Sequence, residues 1–291
     1  MRFTLNSRAG LLSVIILVLL LGIWHLATLP ASAPVAPAVS LTPEQIEYLK
    51  LQGKDPASAS VERKSSGFPT PAQMGAAVAS HLRSPFYDNG PNDKGIGLQL
   101  AYSLARVALG FGIAALVAVP LGFVLGMSPL FYKALYPYIN VLKPISPLAW
   151  MPLALYTIKD SSVSGVFVIF ICSVWPMLIN TAFGVAGVRR DWMNVARTLE
   201  VGALRKSFQV ILPAAAPTIL TGMRISIGIA WLVIVAAEML VGGTGIGYFI
   251  WNEWNNLSLT NVIFAILMIG LIGMALDWVF GRLQHAVSYV E

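Results

Sequence analysis

Residues 194–213 read NVARTLEVGALRKSFQVILP, and this stretch decides the fold. It is polar and basic, it has long apolar runs on both sides, and it ends in Leu212-Pro213. The pattern predicts a short helix, a turn and a second helix, with Pro213 opening the next span at the first helical position, where a missing N–H costs nothing. Such a segment between two membrane helices forms a rigid lever. The alternative is an ordinary connecting loop, which seldom has this amphipathic pattern.

The composition around this stretch requires a lipid environment. The chain has 291 residues, of which 57% are hydrophobic and only 11% are charged, and a water-soluble domain needs a larger charged shell. A helix crosses a hydrocarbon core of about 30 Å with roughly 20 mainly apolar residues. The sequence therefore predicts an all-α membrane protein with six spans, at about residues 11–29, 97–127, 130–158, 163–188, 214–241 and 259–282.

Three segments follow from this pattern. Residues 1–29 are predicted to be a retained N-terminal transmembrane helix, because the apolar core is longer than that of a signal peptide, although small residues that resemble a cleavage site follow it. Residues 30–96 are rich in Pro, Ala and Ser and form a predicted periplasmic insert, with short helices starting near Thr42 and Thr70. Residues 97–291 form the predicted transmembrane domain.

The positive charges predict the orientation of the chain, because lysine and arginine concentrate on the cytoplasmic side of membrane proteins. With six spans, only Lys159 lies in the short loops of one side. The residues that fall on the other side are Arg2, Arg8, Lys133, Arg189, Arg190, Arg197, Arg205, Lys206 and Arg282. Residues 189–209 and both termini are therefore predicted to be cytoplasmic, in a multi-pass inner-membrane protein. The net charge of +6 comes from the lysines and arginines that set this orientation. It therefore does not indicate nucleic acid as a partner.

The polar stretch resembles the cytoplasmic loop of ATP-binding-cassette (ABC) importer permeases. That loop carries Glu-Ala-Ala, three residues, Gly, nine residues, Ile, one residue and Leu-Pro. With Leu212-Pro213 setting the register, Ala196 matches the second alanine, and Glu200 takes the place of the glycine, two residues before Gly202. The resemblance implies a type I importer permease in which residues 189–209 dock on a separate ATPase. The expected coupling positions are Asn194, Ala196, Arg197, Glu200, Gly202, Leu212 and Pro213.

The resemblance extends over about residues 97–288. Residues 143–152, 170–176 and 222–240 look like the branch of these permeases that serves nitrate, sulfonate and taurine. Within the branch, the cyanobacterial permeases for nitrate and nitrite are the most similar, and those for bicarbonate come next. The implied function is the permease subunit of an ATP-driven importer for a small anion. We expect nitrate or nitrite, with bicarbonate, cyanate or a sulfonate as the alternatives.

The resemblance also implies the partners: a second copy of the chain in a homodimer, two cytoplasmic ABC ATPase subunits, a periplasmic substrate-binding protein or domain, and membrane lipid. The sequence has no Gly-x4-Gly-Lys-Ser/Thr phosphate loop, so ATP and Mg²⁺ are expected on the ATPases, with no cofactor or catalytic residue in this chain. Its single cysteine and three dispersed histidines predict no metal site. A secondary anion transporter would need inverted repeats, and a membrane enzyme would need a catalytic cluster; neither is visible.

Cations inside the spans are candidates for the substrate path, because charges in lipid are costly unless they face a cavity or a partner. Lys143 lies where prolines break the third span, so that freed backbone groups line a wet path and a cation lowers the barrier for an anion. A structural ion pair is the alternative for Lys143. Arg224 either lines the exit of the path or pairs with Asp277.

Other residues in the spans have weaker functional interpretations. Glu238 would repel an anion unless it is paired, so a gate or a tether between helices suits it better. Arg106 is expected to reach only to the membrane interface. Trp150 and Trp231 either shape the path or pack between helices.

Overall fold

Long apolar runs punctuated by Gly and Pro predict helices, and the chain forms them. The computed structural model describes residues 5–28, 68–90 and 93–287. Within these ranges, extended chain pairs only at an isolated bridge between Asp88 and Lys94. The described helices are α1 (Leu5–Ala27), α2 (Pro71–Arg83), α3 (Ile96–Met127), α4 (Pro129–Leu142), α5 (Pro147–Ile158), α6 (Ser161–Ala186), α7 (Arg190–Thr198), α8 (Ala203–Lys206), α9 (Leu212–Val241), α10 (Ile246–Asn255) and α11 (Leu259–Val287). The predicted helix near Thr42 lies outside the described residues.

The first of two compact units, Met1–Ser80, contains α1 and most of α2. α1 is long and apolar enough to cross a membrane, and near its end the Trp24 indole N–H donates to the Pro69 carbonyl at 2.9 Å. α2 begins with the predicted reciprocal cap: the Gln73 N–H donates to Thr70 Oγ1, and the Thr70 N–H donates to Gln73 Oε1. The second short helix of the insert is therefore confirmed.

The second unit, His81–Glu291, is built on a parallel pair of long helices. Gly110 of α3 packs on Ile169 of α6, and further along Gly122 packs on Thr181 with the same offset in residue number. A Cβ on Gly122 would lie 2.7 Å from the Thr181 Cβ, so only glycine permits this approach. Because α3 and α6 point the same way, the chain between them must return across the membrane.

The return crossing is made by two short helices, α4 and α5, with a break at residues 143–146. Pro144 and Pro147 lack the N–H groups that a continuous helix needs here, and the Ser146 side chain instead caps α5 by accepting the Leu148 N–H. By length and composition, five described helices can each span a membrane alone, and α4 followed by α5 leads the chain back from the end of α3 to the start of α6. The predicted proline-broken third span is confirmed.

Helix α9 packs antiparallel against both α6 and α11. As residue numbers rise along α9, the residues that it contacts in each neighbour have lower numbers. The pairs are Gly222 with Asn180 and Ser226 with Ser173 in α6, and Arg224 with Asp277 and Trp231 with Ile269 in α11. The N-terminal ends of α3, α6 and α11 therefore lie with the C-terminal end of α9. We call this end of the unit the outer end and the opposite one the inner end, after the predicted orientation.

The turn before α3 is fixed by polar contacts at the outer end. Lys94 and Asp88 form an ion pair across the isolated bridge, and the Gly95 N–H donates to the Tyr87 carbonyl at 2.8 Å. The hydrogen bond from Lys94 is the main reason that the pKa of Asp88 lies below its ordinary value. This turn joins the insert to the first helix of the second unit.

The turn after α7 has the geometry that glycine usually provides. The Val201 N–H donates to the Ala196 carbonyl and the Glu200 N–H to the Arg197 carbonyl, both at 3.0 Å, which is the Schellman pattern of a helix end. Glu200 takes the left-handed conformation at φ 50°, while Gly202 has an ordinary φ of −55°. Glu200 therefore adopts the left-handed turn conformation at the position where the resembling loops carry glycine. Gly202 does not replace that glycine.

Glu200→Gly is expected to stabilise this turn by about 1 kcal/mol, because a side chain at positive φ is strained and glycine is not. Slower hydrogen exchange of the amides at residues 196–202 would show the gain. Gly202→Ala is the matched control: its φ suits any residue and a Cβ there meets open space, so exchange should stay close to that of the wild type. Equal exchange in the Glu200→Gly and wild-type proteins would contradict the strain argument.

Pro213 does not introduce a hinge. The α-helical span begins at Leu212 with Pro213 in its first turn, as predicted, but Lys206, Ile211 and Leu212 all have right-handed helical angles. A π-helical turn at Ser207–Ile211 precedes the proline, and this wider turn accommodates a residue that donates no hydrogen bond. The chain is therefore helical without interruption from α8 to the end of α9.

Candidate functional site

A buried carboxylate organises the outer end of the second unit. Glu238, near the C-terminal end of α9, is only 4% exposed. Its oxygens lie 2.8 and 2.9 Å from Ser103 Oγ and accept Arg106 Nη1 at 2.7 Å and the Gly247 N–H at 3.1 Å. A buried carboxylate with an ion pair and several donors is a satisfied group, so Glu238 tethers α9 to α3 and α10.

The same cluster caps the N-terminus of α10. The Gly245 N–H donates to Gln99 Oε1 at 2.8 Å, the Ile246 N–H to Ser103 Oγ at 3.0 Å, and Arg106 Nη1 donates to the Thr244 carbonyl at 2.6 Å. Gly245 has φ 155°, and a Cβ on it would lie 2.2 Å from the Glu238 carboxyl carbon. This position therefore requires glycine. We call Gln99, Ser103, Arg106, Glu238 and the segment 244–247 the outer latch.

The outer latch corrects the interpretation of Arg106. The side chain does not extend toward the membrane interface but turns inward, with Nε donating to Ser162 Oγ at 3.0 Å and Nη1 to Glu238. The reason is energetic, because an unpaired carboxylate at the depth of Glu238 costs several kcal/mol. Sequence reasoning missed Gln99 and Ser103. Their spacing with Arg106, at i, i+4 and i+7, places all three on one face of α3 and was the available signal.

The inner half of the unit holds an ion pair between α9 and α11. Arg224 of α9 donates through Nε and Nη2 to the two Asp277 oxygens of α11, each at 2.6 Å. Of the two alternatives that the sequence left open for Arg224, the structure contains the ion pair with Asp277. Trp231, about two turns further along α9, is buried, and its indole N–H donates to the Ile269 carbonyl at 3.0 Å. Its packing interpretation fits this position better than a place on an open path.

Lys143 occupies the break in the third crossing. It is the C-cap of α4 and its side chain is exposed. Among the described residues, no hydrogen bond or ion pair involves its ammonium group, so the alternative of a structural pair finds no partner there. Trp150 lies half-buried in the first turn of α5, just beyond the break. Lys143 and the N-terminus of α5 are thus placed together within the crossing.

The loop helix α7 shows a divided surface at the inner end. Ala196 is buried, and Met193 packs on an apolar cluster that includes Val185 and Ile211. Trp192, Val195 and Leu199, at i, i+3 and i+7, are exposed on a neighbouring face. Among the predicted coupling positions, Asn194, Arg197, Glu200 and Gly202 are also exposed. At the start of α9, Leu212 is half-buried and Pro213 is exposed. A polar segment that exposes large apolar side chains is typical of a protein interface.

A match to a known family defines the class of this protein. Residues 118–289, more than half of the chain, match the family described as binding-protein-dependent transport system inner membrane component. The chain belongs to this family and is a transport component.

Named relatives narrow the comparison. The chain is 44% identical over 226 residues to the nitrate import permease protein NrtB of Synechocystis sp., covering 78% of this chain and 82% of the relative. It is 42% identical over 208 residues to the bicarbonate transport system permease protein CmpB of the same organism, covering 71% and 74%. A chain from the inward-facing MetNI methionine ABC transporter superposes with a TM-score of 0.58 at 13% identity, over 65% of this chain and 94% of that one, which shows the shared fold.

Proposed function

We propose that this chain is the permease subunit of an ATP-driven importer for nitrate and nitrite. The observation that carries the proposal is the 44% identity to a nitrate import permease over most of both chains, together with the family match. The bicarbonate permease at 42% identity keeps bicarbonate as the second candidate. Both anions are small, planar and singly charged, so the two proposals share one path chemistry.

The substrate path is proposed to pass the break between α4 and α5. The N-terminus of a helix within a membrane protein presents the positive end of the helix dipole, which favours an anion. Lys143, the C-cap residue of α4, lies just before α5 in the chain and adds a full positive charge. Weak binding suffices, because the anion must leave again and selectivity is delegated to the binding protein. Trp150 flanks this place, whereas Glu238 and Trp231 act from buried positions beside the path.

The working assembly is proposed to contain two copies of this chain, two ABC ATPases and a binding protein, in an inner membrane with both termini cytoplasmic. The exposed apolar face of α7 supports an ATPase contact at the inner end. Large apolar side chains exposed on α4 and α11, such as Phe131 and Trp278, suit lipid or the second copy. ATP and Mg²⁺ belong to the ATPases in this proposal.

Reconstitution tests the function directly. Proteoliposomes with this chain, its ATPases and its binding protein should accumulate labelled nitrate only when ATP is present on the ATPase side. Excess nitrite should compete, while bicarbonate, cyanate and a sulfonate should compete less. Uptake that persists without ATPases would support a secondary transporter instead, and stronger competition by bicarbonate than by nitrite would favour the second candidate.

A further inference from the structure

The paired arginine in the inner half of α9 has an unused end. Asp277 binds Arg224 side-on and takes Nε and Nη2. Arg224 Nη1 has no acceptor among the described residues, and a guanidinium carries five N–H donors. The flat group lies over Gly281 of α11, whose hypothetical Cβ would be 3.6 Å from the Arg224 Cζ. Among the described residues, the end formed by Nη1 and Nη2 is therefore left open to a further acceptor.

The location of this pair calls for a polar neighbour. The side chains of Arg224 and Asp277 are 38% and 57% exposed within a single chain. Both belong to membrane-crossing helices, where contact between charged groups and acyl chains is expensive even when the charges are paired. A water-filled path relieves this cost, and in a permease for an anion that water carries the substrate.

We propose that Arg224 is an anion-binding residue on the inner half of the path, positioned by Asp277, and that its ligand is a planar oxyanion such as nitrate. The Nη1–Nη2 end offers two parallel N–H groups that match two oxygens of one planar anion, which an ammonium does not do. This inference rests on the proposed function and adds a second anion site to the one at Lys143.

Asp277 sets the strength of this site. The carboxylate cancels most of the Arg224 charge at a distance while leaving the directional donors in place. An anion is then held by geometry more than by net charge, so it binds weakly and leaves readily toward the inner side. Removing the carboxylate leaves a full positive charge and should trap the anion.

Trans-inhibition of uptake in the reconstituted complex tests the proposal. Nitrate preloaded on the inner side should slow ATP-driven uptake in the wild type, and Asp277→Asn should lower the half-inhibiting concentration about tenfold by tightening the inner site. Arg224→Lys keeps an ion pair with Asp277 but loses the fork, and it should cut uptake about tenfold while ATPase activity stimulated by the binding protein persists.

A purely structural pair makes opposite predictions. The double variant Arg224→Leu with Asp277→Leu removes both charges together, which stabilises or leaves unchanged many paired sites. Uptake and trans-inhibition equal to the wild type in the double variant and in Arg224→Lys would overturn the proposal, as would unchanged inhibition in Asp277→Asn. If the double variant does not assemble, Arg224→Lys and Asp277→Asn still decide. A wild-type complex that takes up no anion would instead refute the proposed function.

Discussion

Val195→Asp and Leu199→Asp are each expected to reduce ATP-driven uptake strongly, because a charge placed on the exposed face of α7 weakens binding of the ATPase. These side chains are 58% and 70% exposed although they are large and apolar. Apolar residues at the centre of an interface dominate its affinity, and burying an unpaired carboxylate there should weaken association about thirty-fold, or about 2 kcal/mol. Co-purification of the ATPase with the tagged permease measures the loss.

Thr198→Asp supplies the control for this prediction. Thr198 is an exposed residue of the same helix, outside the face formed by Trp192, Val195 and Leu199, and it receives the same charge. The ATPase should co-purify with the Thr198→Asp permease at nearly the wild-type level. Equal recovery of the ATPase with Val195→Asp and with Thr198→Asp would show that the apolar face of α7 does not bind the ATPase.

Lys143→Met is expected to slow anion uptake about tenfold, which corresponds to about 1.4 kcal/mol of added barrier. Methionine keeps the approximate length of the side chain and removes the charge carried by the residue at the break between α4 and α5. Initial rates of labelled nitrate uptake in the reconstituted complex give the measurement. ATPase activity stimulated by the binding protein should persist, because the change lies far along the chain from α7.

Lys133→Met is the matched substitution on the same helix. Lys133 is exposed near the start of α4 and away from the break, so its removal should leave the uptake rate close to the wild-type value. If Lys143→Met lowers only the amount of protein in the membrane and not the rate per complex, Lys143 has a structural role.

The helices were predictable because each one is encoded locally. An apolar run long enough to cross lipid ends at proline, glycine or charge, and the bounds of α3 and α9 agree with the sequence within two residues. The broken third crossing was predictable for the same reason, since prolines act on their own helix. The Thr70 cap likewise depends on residues only three apart.

The outer latch was not predictable because its partners are far apart in sequence. Ser103 and Glu238 are separated by 135 residues, and nothing local reveals that they meet. Arg106 was misjudged for this reason. The turn was expected near Glu200, but its left-handed conformation was not predictable for another reason. Sequence preference expects glycine at positive φ, whereas the two hydrogen bonds that end α7 hold a glutamate there.

The uninterrupted helix from Ala203 to Val241 has a mechanical consequence. Its 39 residues span roughly 58 Å, so a tilt of about 5° at one end displaces the other by about 5 Å. That displacement exceeds the reach of the hydrogen bonds to Glu238, which sits three residues from the far tip. Movement of the inner end of this helix would therefore break the hydrogen bonds of Glu238 at the outer end directly, without a conformational change in any other helix.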